Sequence, residues 1–146
     1  MKKRIISIIN NLLSMKKNRI LVSFMAALSF VAAIAQTVNV SPMPQSIVWG
    51  DKAFDQPTSI VITGADEADA DAVALLESSF TVGKKGVKVI IGERGDKAVK
   101  KYAAQIPNKV EGYYISVAKN QVVIAGNDEA GTYYGVQTFL QMFSQP

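Results

Sequence analysis

Adjacent carboxylates are the first groups to weigh in this chain of 146 residues, because two carboxyl groups can divide the work of acid and base. Two such pairs occur, Asp66-Glu67 and Asp128-Glu129. Both open predicted helices, where acids complement the positive end of the helix dipole without any catalysis. The acidic run of Asp66, Glu67 and Asp69 also invites calcium. A calcium loop needs oxygen ligands at alternate positions, and counting from Asp66 those positions hold Ala68 and Ala70. Gly92-Glu93-Arg94-Gly95 is a glycine-rich strand-to-helix turn of the kind that can cradle phosphate, but its spacing matches neither phosphate fingerprint. Arg94-Gly95-Asp96 spells an adhesion tripeptide, which chance explains. The chain has no His and no Cys. That removes the commonest general base, any Ser-His pair, disulfides and thiolate or imidazole metal sites. No catalytic residue, cofactor or metal is expected within these residues.

A different kind of group lies on the last predicted helix. Tyr133, Tyr134, Gln137, Thr138 and Gln141 accompany two glycines four apart, Gly131 and Gly135. A glycine inside a helix costs about 1 kcal/mol relative to alanine, so close approach to a sheet or to a second domain is expected to repay it. The seven residues read as a candidate interdomain interface. They also read as core tyrosines with solvated tips and outward-facing amides, and the residues alone leave both readings open.

The elements that position these groups follow from periodicity. Glu111 to Phe143 organises the chain as a hairpin running into a long amphipathic helix. The first strand, Tyr113 to Val117, places Tyr113, Ile115 and Val117 on one face. The second, Gln121 to Ala125, is rich in β-branched residues. Between them Lys119-Asn120 is a two-residue loop, with Asn120 suited to the positive φ that tight turns use. After Gly126-Asn127 the helix begins with Asp128 and Glu129 in its first turn, and Val136, Phe139, Leu140 and Phe143 form its buried stripe.

Upstream, Gln36 to Pro44 is expected to be extended, because Pro42 and Pro44 exclude helix. Ser46 to Trp49 reads as a short strand ended by Gly50-Asp51. Thr58 to Thr63 reads as a strand buried on both faces. Asp66 to Phe80 is a predicted helix with Asp66 as N-cap and a stripe of Ala72, Val73, Leu76 and Phe80. Val87 to Ile91 is a further apolar strand. Asp96 to Gln105 is a predicted helix buried through Val99, Tyr102, Ala103 and Ile106, and Pro107 stops it. The order β-β-α-β-α-β-β-α predicts an α+β fold, with a mixed sheet of about five strands and helices mainly on one face.

The formal charge of +4 is misleading. Six of the sixteen basic residues precede residue 36, which leaves ten against twelve acidic ones, a net of −2. A domain with that balance carries no electrostatic footprint for nucleic acid. The basic stretch Met15 to Arg19, the fifteen-residue apolar run Ile20 to Ile34 and the motif Ala33-Ile34-Ala35 read as a cleaved signal peptide. Cleavage is expected between Ala35 and Gln36, and translation is expected to start at Met15. The run is shorter than the roughly 20 residues that span a bilayer, so no stable membrane span is expected after cleavage. The remainder, about 110 residues, is the size of one domain. The expected organisation is therefore signal peptide 1–35, extended segment 36–44 and one domain over 45–146.

The motif E-G-Y-Y-I-S-V, followed by V-V-I-A-G-N-D-E-A-G-T-Y-Y-G-V-Q-T-F-L-Q, resembles the end of the N-terminal domain of β-N-acetylhexosaminidase-type glycoside hydrolases. Families 20 and 84 share its G-x-x-Y-G-x-Q-T-x-x-Q part, here Gly131, Tyr134, Gly135, Gln137, Thr138 and Gln141. Ile91 to Pro107 is more similar to bacterial family 84, the O-GlcNAcase-like β-N-acetylglucosaminidases. The likeness covers Val40 to Phe143. It implies the hexosaminidase domain-2 fold, related in topology to zincins, although no H-E-x-x-H occurs here. It implies substrate-assisted hydrolysis of N-acetylglucosaminides by two adjacent aspartates on a (β/α)₈ barrel. This chain has no Asp-Asp pair, and the barrel is expected to begin beyond Pro146, so no catalytic residue carries over. Two functions result: a non-catalytic N-terminal accessory domain of an exported, periplasmic or extracellular glycosidase, partnered by that barrel; or a free-standing secreted module that binds glycan or protein, with Trp49 and Tyr113 or Tyr133 as an aromatic platform.

Overall fold

The computed structural model describes residues 40–41, 43–48, 50 and 54–143. The expected signal peptide, the Met15 start, the Ala35-Gln36 cleavage point and Trp49 lie outside the described residues. The elements are β1 (Ser59–Thr63), α1 (Ala70–Ser79), β2 (Thr81–Val82), β3 (Val87–Glu93), a 3-10 turn (Lys100–Tyr102), β4 (Tyr113–Ala118), β5 (Gln121–Gly126) and α2 (Glu129–Gln141). The five strands form one mixed sheet in the order β2-β1-β3-β5-β4. β2, β1, β3 and β5 run parallel, and β4 is antiparallel to β5. This is the expected α+β class.

Strand alternation divides the apolar residues between two faces. Ile60, Val89, Ile91, Val122 and Ile124 meet both helices, packing on Ala72, Val73, Leu76 and Phe80 of and just after α1 and on Val136 and Phe139 of α2. Phe139 anchors this core edge-on to Phe143 at 5.2 Å and tilted to Phe80 at 5.9 Å. On the opposite face Ile90, Val123 and Ala125 are covered by Val99 and Ile106. Burial on both faces therefore holds for β3, whose residues 89–92 are all buried, but not for β1. Only Ile60 of β1 is buried, because its outer neighbour β2 is two residues long. β2 itself has no signal beyond two apolar-tolerant residues after a helix, and it was not expected.

Three further expectations are corrected. α1 starts at Ala70, not Asp66: the amides of Glu67 and Ala68 both turn back onto the Gly64 carbonyl, and Asp69 caps the helix by accepting the Ala72 N–H at 2.9 Å. Residues 96–105 form no α-helix. Their amides bond three residues back, Tyr102 to Val99, Ala103 to Lys100 and Gln105 to Tyr102, which is the tighter 3-10 pattern. The apolar spacing fits either period, and Arg94 takes the Ala103 and Ile106 carbonyls and so fixes the chain in the tight form. Residues 46–48 carry no strand, and Val48 is 93% exposed. The Lys119-Asn120 hairpin loop is present as expected. It does not use positive φ, which among the described non-glycine residues occurs only at Glu111.

Candidate functional site

The seven residues singled out on α2 divide by the surface they face. Gly131 is buried against the 107–112 loop: a Cβ there would collide with the Gly112 carbonyl oxygen. Gly135 is buried against the sheet, where a Cβ would lie 2.8 Å from Ile124 Cγ2 and 3.6 Å from Tyr113 Cβ. Both glycines thus repay their helical cost by close approach within the domain. Thr138 is 4% exposed and its hydroxyl shares a hydrogen bond with Tyr113 Oη at 2.9 Å. The outward part of the group is Tyr134, at 41% exposure, with half-buried Tyr133, Gln137 and Gln141. Tyr133 and Tyr134 meet edge to face with centroids 6.3 Å apart, and Tyr133 also rests on the core. Gln141 bonds both backbone groups of Ser41, at 2.8 and 3.1 Å.

A second polar cluster sits at the carboxyl ends of β3 and β5, beside the starts of α1 and α2. Asp128 caps α2 by accepting the Gly131 N–H at 2.8 Å and reaches the Glu111 N–H at 2.9 Å with its other oxygen. Those two bonds, the Glu111 one foremost, hold its carboxyl below the ordinary aspartate value. Thr132, fully buried, donates toward the Asp128 and Gly92 carbonyls. Glu93 accepts the Asp69 N–H at 3.1 Å, while its own amide donates to Asp96 Oδ2 at 2.6 Å. Burial raises the Glu93 carboxyl above its usual range, and the Asp96 carboxylate beside it adds to the rise, against bonds from Thr132 and Asp69 that oppose it. Glu93 therefore joins β3, α1 and α2.

Arg94 uses its planar fork in the same region. Nε donates to Asn127 Oδ1 at 2.9 Å, Nη1 to the Ala103 carbonyl at 2.9 Å and Nη2 to the Ile106 carbonyl. Both charged members of the Arg94-Gly95-Asp96 tripeptide are thereby bonded within the fold. In the turn that follows β3, Asp96 Oδ2 accepts the Glu93 N–H and the Glu93 carbonyl accepts the Asp96 N–H at 2.9 Å. The Glu93 and Arg94 roles were not foreseen from the sequence. The signal that could have found them is E-R-G-D itself, which sets two acids and a guanidinium within one turn of a strand end.

The carboxylates of Asp66-Glu67 and Asp128-Glu129 belong to a turn and a helix start, with Glu67 paired to Lys97 at 3.7 Å. Among the described residues no group of three His, Cys, Asp or Glu is placed to hold a metal, and no helix is long and apolar enough to cross a membrane.

Residues 37–146 match the family described as Glycosyl hydrolase family 20, domain 2. A curated relative, the beta-hexosaminidase of Porphyromonas gingivalis, is 29% identical over 109 residues, which are 72% of this chain and 14% of that protein. The solved structure of CpGH84B is similar at a TM-score of 0.59 and 26% identity, over 71% of this chain and 20% of the other. That of CpGH84D is similar in fold at a TM-score of 0.57 and 20% identity, over 74% of this chain and 21% of the other. The match takes in every strand and helix of the sheet and the glycine-bearing helix behind it, and the chain belongs to the glycosyl hydrolase family 20, domain 2 family.

Proposed function

We propose that this chain is the non-catalytic N-terminal accessory domain of an exported β-N-acetylglucosaminidase, acting with a catalytic barrel encoded beyond Pro146. The observation that carries the reading is one of proportion: the matched domain makes up 14% of the hexosaminidase relative and 20% of the CpGH84B chain. The barrel would perform substrate-assisted hydrolysis of N-acetylglucosaminides, with the 2-acetamido oxygen attacking the anomeric carbon. The outward residues of α2, Tyr133, Tyr134 and Gln137, would meet it. Export to the periplasm or beyond rests on the leader-like sequence before Gln36.

The domain over 36–146, purified alone, is expected to show no hydrolysis of a chromogenic N-acetyl-β-glucosaminide. Turnover that follows the domain's own elution peak would overturn the reading. Retention of the same domain on immobilised N-acetylglucosamine oligomers would favour the glycan-binding module instead. That alternative is weakened at Tyr113, whose hydroxyl is committed to Thr138.

A further inference from the structure

Gln141, in the last turn of α2, holds a partner 100 residues away in sequence. Its Oε1 accepts the Ser41 N–H at 2.8 Å, and its Nε2 donates to the Ser41 carbonyl at 3.1 Å. One side-chain amide thus satisfies both main-chain groups of one residue, as a neighbouring strand would. Beside it Val40 is only 4% exposed. Prolines stand at positions 42 and 44, but not at 41, whose N–H is the one used. Neither bond involves the Ser41 hydroxyl.

We propose that Gln141 is a backbone-reading clasp. It closes on the main chain at Ser41 and fixes where that chain meets the end of α2. Gln141 is a positioning residue, and its ligand is the main chain at Ser41, whatever side chain stands there. The clasp does not depend on the accessory-domain reading and holds equally for a free-standing module.

Hydrogen exchange in peptides covering residues 38–48 of the full chain tests it. Gln141→Met, which keeps the length and removes the amide, is expected to speed exchange there about tenfold, the effect of losing about 1.4 kcal/mol of closure. Ser41→Pro, which removes the donor and with it that exchanging proton, is expected to speed exchange at the neighbouring amides of Val40 and Met43. Ser41→Ala is expected to leave exchange unchanged, and none of the three should alter exchange in β3 or β5. Unchanged protection in Gln141→Met would overturn the proposal. So would opening by Ser41→Ala, or loss of protection that spreads to β5, since either would show that Gln141 supports the core and does not read the backbone.

Discussion

Glu93 and Asp128 lie at the same end of the sheet and respond to acid in opposite senses. The Glu93 carboxyl is raised, so the folded protein holds its proton more tightly than the unfolded chain does. Its contribution to stability improves as pH falls through the folded value, and the gain is complete below the ordinary glutamate value of about 4.3. Asp128 is lowered: its contribution is present above the ordinary aspartate value of about 3.9 and is lost as pH falls through its folded value. Glu93→Gln keeps an acceptor for the Asp69 N–H and cannot ionise. The difference in melting temperature between Glu93→Gln and the native chain is therefore expected to favour the variant at neutral pH and to shrink toward zero as pH falls to about 4.3. Melting scans across that range check it, and a difference independent of pH would contradict it. Asp128→Ala removes the cap of α2 and the tie to Glu111. A loss of about 1 kcal/mol is expected in urea unfolding at neutral pH.

At the scale of elements, the glycines of α2 reverse the usual sign of a helical substitution. Gly135→Ala would gain about 1 kcal/mol of helix propensity in isolation. Here its Cβ would press on the branched carbon of fully buried Ile124, and crowding of that kind costs about 1–3 kcal/mol. Net destabilisation of the domain is expected, larger for Gly135→Leu, and a melting temperature equal to or above that of the native chain would contradict it. Arg94→Lys tests the other covering layer. Lysine cannot reproduce three bonds to Asn127, Ala103 and Ile106, so faster amide exchange over 99–106 is expected with β5 unchanged.

These elements also show what was legible in the sequence. A continuous apolar run located β3, and period-two and period-3.6 patterns located the first hairpin strand and the stripe of α2, because the apolar positions there recur at the spacing of the element. The start of α1 was misplaced at Asp66 since Asp66 and Asp69 are both competent caps, and the turn onto Gly64 chooses between them. The segment after Arg94 looked helical because Val99, Tyr102, Ala103 and Ile106 suit periods of 3 and 3.6 alike. A guanidinium bonded to two of its carbonyls decided the outcome, and such a long-range bond leaves no trace in local periodicity. The α2 group was legible as a group, but its division between inward glycines and outward tyrosine and glutamines needed the register of helix on sheet.

At the largest scale, the described residues form a five-stranded sheet with two helices on one face and a bonded turn segment on the other, and their polar clusters serve caps, clamps and a clasp. The accessory role proposed above places the chemistry on a barrel outside these residues. The most direct test of that account is to read the DNA beyond the codon for Pro146. The account predicts a frame that continues for roughly 250 residues or more, with an adjacent Asp-Asp pair after a barrel strand. A stop codon directly after Pro146 would contradict it.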